Sequence, residues 1–200
     1  MKSNLILFFL SFIFFAPSVH AHTFTGMVGF YDGLSHPVLG IDHFLAMVSV
    51  GVVSAQIGGR AIWTIPATFV LMMIIGGTIG MLIEVFFFDF EESAFLVVEY
   101  GIVFSVILLG LAIAIEKKIA TNIIMIFICI FGMCHGLAHG MEMPWAVNPI
   151  LFALGFASGT ATLHLFGVGI GSLAIKTKFS SIVLRIVGVG CALFGISLLV

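Results

Sequence analysis

The chain has 200 residues, of which 62% are hydrophobic and only 8% are charged, with a formal net charge of -2 and a mean hydropathy of +1.32. This composition excludes a soluble globular domain and predicts an all-α, polytopic membrane protein whose surroundings are a lipid bilayer. The chain has no basic stripe, so we expect no nucleic-acid partner. Its three cysteines are scattered through apolar segments, which argues against a disulfide framework or a Cys-x-x-Cys zinc site.

The N-terminus has the three parts of a secretory signal peptide. Lys2 supplies the positive charge, residues 5–15 form an apolar stretch, and residues 19–21 form a small-residue cleavage motif. We therefore predict a cleavable signal peptide at 1–21 and a membrane domain at 22–200; an uncleaved anchor is the alternative. Cleavage after Ala21 would expose His22, whose α-amine and imidazole can chelate one metal ion together. The competing interpretation of His22 is an incidental histidine in a disordered start.

Six apolar segments follow, each about as long as a helix that crosses roughly 30 Å of hydrocarbon. We predict a bundle of six transmembrane helices at 37–55, 62–84, 93–115, 119–140, 147–174 and 181–199. Two sets of three helices, each opening on a polar cluster, suggest a 3+3 inverted repeat. Small residues predict where helices touch: Gly76, Gly77, Gly80, Gly155, Ser158, Gly159, Thr162, Gly188, Ala192 and Gly195. The sequence leaves open whether the bundle forms a homo-oligomer.

The charged residues segregate between alternate connections of this predicted bundle. The basic residues fall in or beside one set of connections: Arg60, Lys117, Lys118, Lys176, Lys178 and Arg185. The acidic residues of the other set are Asp32, Asp89, Glu91, Glu92 and Glu142. Because basic loops stay in the cytoplasm, we predict a multi-pass protein of the bacterial inner membrane with a periplasmic mature N-terminus.

The first predicted helix carries an aspartate and a histidine side by side, Asp42 and His43. One Asp at a helix centre costs about 2.5–3.5 kcal/mol on insertion scales, so such a charge is expected to face protein, water or an ion. One stripe of this helix contains His36, Gly40, His43 and Met47, which are spaced i, i+4, i+7 and i+11. Pro37 fits the first turn of this helix.

A second polar cluster, formed by His135, His139 and Glu142, shares one stripe of the fourth predicted helix, and His164 lies midway along the fifth. Imidazole and carboxylate ligands suit a borderline divalent metal ion such as nickel, cobalt, zinc or iron(II). The competing interpretation of each histidine is a hydrogen-bonded packing residue. Glu84 and Glu99 are either helix-contact residues or part of an ion path.

These segments resemble the HupE/UreJ family of small nickel/cobalt permeases, over nearly the whole mature chain. The resemblance rests on the signal peptide with its following histidine and on two motifs: His36-Pro37-x-x-Gly40-x-Asp42-His43-x-Leu45-x-Met47 with Gly51, and His135-Gly136-x-x-His139-Gly140. It implies secondary transport of nickel or cobalt. It also implies metal binding first by His36, Asp42 and His43, then by His135 and His139. His22 matches the histidine that follows the signal peptide in the family.

The leading hypothesis is therefore a six-helix permease, not an enzyme, that imports Ni²⁺ or Co²⁺ and needs no cofactor; Zn²⁺ and Fe²⁺ remain open as cargo. Its expected metal-binding residues are His22, His36, Asp42, His43, His135, His139 and His164. One alternative is a zinc-dependent intramembrane hydrolase with Glu99 or Glu142 as the base. Another is a metal-stabilised accessory subunit that transports nothing.

Overall fold

The computed structural model describes residues 29–86, 92–115, 119–143 and 148–199, and these residues are almost entirely helical. Their helices, in chain order, are α1 (Phe30–Leu39), α2 (Ile41–Ile57), α3 (Ala61–Phe86), α4 (Glu92–Ile115), α5 (Thr121–Met141), α6 (Pro149–Ala174) and α7 (Lys178–Ser197). Helices α3 to α7 contain five candidate membrane spans, and α1 with α2 adds a sixth if the bent pair counts as one. The prediction of an all-α, polytopic membrane protein is confirmed. The predicted signal peptide at 1–21 and His22 lie outside the described residues.

The first predicted span is not one straight helix. Helices α1 and α2 meet at Gly40, which has an extended backbone (φ −87°, ψ 122°), and their axes differ by 86°. The prediction of one continuous helix, with a single stripe running from His36 to Met47, was therefore wrong. Pro37 lies near the C-terminal end of α1 rather than in a first turn. Glycine is a poor helix former, about 1 kcal/mol worse than alanine, so a break at Gly40 costs little.

Local sequence signals set several helix ends. The α2–α3 turn uses Gly58 and Gly59, both with positive φ (79° and 58°), a conformation that glycine adopts without strain. Asn148 caps α6 by accepting hydrogen bonds from the backbone N–H groups of residues 150 and 151, and Pro149 occupies the first helical position. Thr177 caps α7 in the same way through the N–H of residue 180.

Three helix pairs form the most extensive contacts of the bundle: α2 with α6, α3 with α5, and α4 with α7. Each pair meets through glycines, which let the two backbones approach closely. Between α2 and α6, Val48 contacts Gly167 and Val52 contacts Gly171. Between α3 and α5, Phe69 contacts Gly132 and Gly77 contacts Gly140. Between α4 and α7, Ile107 contacts Gly195 and Gly110 contacts Gly188. The first two pairs are therefore parallel and the third is antiparallel. This is the pattern expected when successive spans cross in alternate directions.

In an inverted repeat of three spans, the α1–α2 span corresponds to α5, α3 corresponds to α6, and α4 corresponds to α7. The contact between α2 and α6 then corresponds to the contact between α5 and α3, and the contact between α4 and α7 corresponds to itself. The most extensive contacts thus fit the predicted inverted repeat, which stays a prediction.

The prediction of helix contacts was wrong at two positions, since Ser158 and Thr162 are exposed. Their hydroxyls donate to carbonyls one turn earlier in α6, which satisfies them on a face turned away from the bundle.

Candidate metal site

Three helix ends bring together five of the predicted site residues. His36 lies in the last turn of α1, Asp42 and His43 lie in the first turn of α2, and His135 and His139 lie in the last two turns of α5. The imidazole rings of His36 and His139 have centroids 4.5 Å apart. The ring of His43 is 4.6 Å from that of His139 and 5.2 Å from that of His135. We call these five residues the outer cluster.

The bend at Gly40 creates the outer cluster, because it turns His36 and His43 toward the same end of α5. A Cβ atom at Gly40 would lie 3.0 Å from Oδ1 of Asp42 and 3.0 Å from Nδ1 of His43. Any other residue would therefore crowd this pair. The space that Asp42 and His43 need therefore explains why the first histidine motif has a glycine at position 40.

Hydrogen bonds fix the orientation of two histidines in the cluster. Nδ1 of His43 donates to Oδ1 of Asp42 at 2.9 Å, and Nδ1 of His135 donates to the carbonyl oxygen of Phe131 at 2.9 Å. When each neutral ring has its proton on Nδ1, its Nε2 carries a lone pair. Both Nε2 atoms are buried and have no hydrogen-bond partner among the described residues. An unsatisfied buried acceptor costs about 1–3 kcal/mol, and a metal ion would be a natural partner for it.

His139 adds a third nitrogen of this kind. Its Nδ1 lies 3.0 Å from Nε2 of His36 and 4.0 Å from Oε2 of Glu142, while its own Nε2 is buried without a hydrogen-bond partner in the described part of the chain. Within that part, no group of three or more His, Cys, Asp or Glu side chains is already arranged to hold a metal ion. The ring of His43 contacts those of both His135 and His139, so a single ion bound by all three would require the side chains to rearrange.

The electrostatics of the outer cluster favour a cation. His36 and His139 lie in the last turns of α1 and α5, so the negative ends of two helix dipoles meet here. The positive N-terminal end of α2 also lies here, and the carboxylate of Asp42 in its first turn offsets it. The Asp42 side chain keeps 27% of its surface exposed, which gives the cluster an opening to the outside of the protein. Glu99 of α4 lies within electrostatic range of Glu142, His43 and Asp42.

Aromatic rings pack against the cluster, and none of them was predicted from the sequence. Phe156 of α6 lies 4.6 Å from the ring of His139, and Phe152 lies 5.9 Å from the ring of His36. Phe69 of α3 packs edge-on against His135 at 5.3 Å. The only available signal was the spacing of Phe152 and Phe156, which places both on one face of α6.

His164 is not part of the outer cluster. It lies on α6, fully buried, and its ring contacts that of Phe69 at 5.2 Å. Of the six histidines expected to bind metal, four meet in the outer cluster with Asp42, and His164 lies apart from them against Phe69. The sixth, His22, lies outside the described residues. Glu84 is half-buried on α3.

A multi-pass helical bundle with a cluster of histidines at one end is the class of protein that this fold and site define. The chain belongs to the HupE/UreJ family, because the family model described as HupE / UreJ protein matches residues 10–198. It is also 38% identical over 185 residues to Protein HupE of Rhizobium leguminosarum bv. viciae, an alignment that covers 92% of each chain. No solved structure matches the chain.

Proposed function

We propose that the chain is a permease that imports a divalent transition-metal ion, Ni²⁺ or Co²⁺, across the bacterial inner membrane. The observation that carries the proposal is the group of buried Nε2 atoms on His43, His135 and His139, none of which has a hydrogen-bond partner among the described residues. Imidazole nitrogens suit nickel and cobalt, as well as zinc and iron(II), better than they suit calcium or magnesium. Membership of the HupE/UreJ family supports transport rather than catalysis.

In this proposal the outer cluster strips water from the ion and binds it. His43, His135 and His139 supply nitrogen ligands, and His36 holds the ring of His139 through the 3.0 Å contact. Asp42 orients His43 and contributes the negative charge that attracts the ion. His22, freed by cleavage after Ala21, would collect ions on the periplasmic side.

The membrane potential is a sufficient driving force for this import. A divalent ion gains about 4.6 kcal/mol per 100 mV, twice the value for a single charge. The basic residues Arg60, Lys176 and Lys178 flank the helix ends opposite the outer cluster. If those ends face the cytoplasm, as the positive-inside rule requires, the outer cluster opens to the periplasm and the potential draws the ion inward.

The hydrolase alternative is not supported by the family assignment, and nothing in the outer cluster favours it. An accessory subunit that binds metal without moving it is distinguished by experiment. Such a protein would retain metal binding in the membrane, whereas cells that express it would accumulate no more metal than cells with an empty vector.

The proposal is tested by elemental mass spectrometry of cells offered Ni²⁺, Co²⁺, Fe²⁺, Mn²⁺ or Zn²⁺ in turn. Cells would express the wild type, Asp42→Ala, or the control Ser158→Ala at matched membrane levels. Ser158 is exposed and bonds only within α6 in the described structure. We expect the wild type and Ser158→Ala to accumulate nickel or cobalt, and Asp42→Ala to fall to the vector level. A folded, inserted wild type that accumulates no metal would contradict the proposal.

A further inference from the structure

His164 is a buried imidazole with no visible reason for its polarity. Its side chain has 0% exposure, and neither Nδ1 nor Nε2 has a hydrogen-bond partner among the described residues. Buried polar groups are almost always hydrogen-bonded, because their desolvation is otherwise not offset. In the neutral ring one of these nitrogens carries the proton and the other a lone pair, so His164 has one nitrogen available to a metal ion.

The ring of Phe69 contacts both His164 and one residue of the outer cluster. It packs edge-on against His135 at 5.3 Å and against His164 at 5.2 Å. His164 lies about 22 Å along α6 from Pro149, whereas His135 lies about 9 Å along α5 from Met141, at 1.5 Å per residue. His164 is thus farther from the outer ends of the helices, as a second position on an inward path would be.

Two further donor atoms lie on the helix faces that meet here. Thr160, one turn before His164 on α6, is fully buried and donates its hydroxyl to Sδ of Met73 at 3.6 Å. Met73 lies one turn after Phe69 on α3, so the hydroxyl and thioether share the α3–α6 interface with the imidazole. The backbone of His164 is held in place, because a methyl group on Gly51 of α2 would overlap its carbonyl oxygen.

We propose that His164, with Thr160 and Met73, forms a second, inner binding site for the same divalent ion, next to the outer cluster and in contact with Phe69. This inference rests on the proposed permease function and adds a step to it. The ion leaves the nitrogen ligands of the outer cluster and binds to the imidazole of His164. The imidazole nitrogen of His164 suits a borderline divalent ion such as Ni²⁺ and does not suit Mg²⁺ or Ca²⁺.

The test combines Co²⁺ binding to the purified full chain with cellular uptake of Co²⁺. The variant His164→Phe replaces the imidazole by an apolar ring, and His164→Gln serves if the phenylalanine variant does not insert. The control Leu165→Phe places the same ring at the next position of α6, where the wild-type side chain is 52% exposed. Bound Co²⁺ is counted by equilibrium dialysis, and its ligand field is followed by visible absorption.

We expect the wild type and Leu165→Phe to bind two Co²⁺ ions. The His164 variant should bind one, with the affinity of the outer cluster unchanged within about threefold, and its uptake should fall at least tenfold. If the His164 variant binds two ions, if the wild type binds only one, or if uptake by the variant stays near the wild-type rate, the inner site is wrong while the permease stands. If the wild type takes up no metal at all, both proposals fail.

Discussion

Nε2 of His36 lies 3.0 Å from Nδ1 of His139, although 103 positions separate the two residues in the chain. One ring nitrogen must donate and the other must accept, so the state of each imidazole depends on the other. The contact joins the last turn of α1 to the last turn of α5. The two histidine motifs of the sequence are therefore parts of one site.

This contact predicts strong coupling between the two histidines. His36→Ala and His139→Ala should each lower nickel or cobalt uptake at least tenfold, because each removes the partner that orients the other ring. Uptake by the double variant should be less than about threefold below that of the less active single variant, as expected for residues that act as a unit. The measurement is initial uptake rate at matched membrane levels. If the two effects multiply instead, the residues act independently and the interpretation of this contact is wrong.

The space at Gly40 gives a second prediction. A Cβ at this position would stand 3.0 Å from both Asp42 and His43, so Gly40→Ala should displace that pair and reduce uptake about three- to tenfold without loss of folded protein. The control is Gly169→Ala, since a Cβ at Gly169 meets no atom within 4 Å. It should keep wild-type uptake. If the two alanine variants take up metal equally well, the lack of a side chain at Gly40 is not needed to position Asp42 and His43, and the glycine matters only for the bend between α1 and α2.

The helical membrane fold was predictable because apolar segments about twenty residues long have few alternatives in a bilayer. The bend at Gly40 was not, since His36 and His43 fit one stripe of a continuous helix as well as they fit two helix ends. A single glycine does not distinguish these cases when the sequence is considered alone. Only the contact between α1 and α6, in which Gly33 and Gly155 face opposing backbones, shows that the segment before Gly40 folds back against the bundle.

That the candidate-site histidines group together was largely predictable, whereas the position of His164 apart from the other four was not. Histidines are rare in apolar sequence, so these residues could be recognised as candidate site residues from the sequence. The structure brings His36, His43, His135 and His139 together. Phe69 gave no such signal, because one phenylalanine among 22 in the chain looks like any other core residue. Its contacts with His135 and His164 depend on how α3, α5 and α6 pack, and sequence spacing does not determine that packing.

The alternating directions of the spans lead to a prediction about topology. A phosphatase reporter that is active only outside the cytoplasm should be inactive when fused after Lys176 and active when fused after Val200, because α7 lies between the two points. A reporter that folds only in the cytoplasm should give the opposite pair of results. The physical reason is the retention of Lys176, Lys178 and Arg185 on the inner side. Reversed activities would mean that the bent α1–α2 pair does not cross the membrane as one span.

The glycine contacts between α3 and α5 allow a matched test of packing. A methyl group on Gly136 would overlap the carbonyl oxygen of Met73, so Gly136→Ala must push the two helices apart. Overpacking of this kind typically costs about 1–3 kcal/mol, and we expect a lower thermal midpoint in detergent and less protein in the membrane. Gly77→Ala is the control, because its added Cβ would meet the carbonyl of Gly136 at 3.5 Å, an ordinary contact distance. If both variants unfold at the wild-type temperature, the close approach of α3 and α5 is not what holds the outer cluster together.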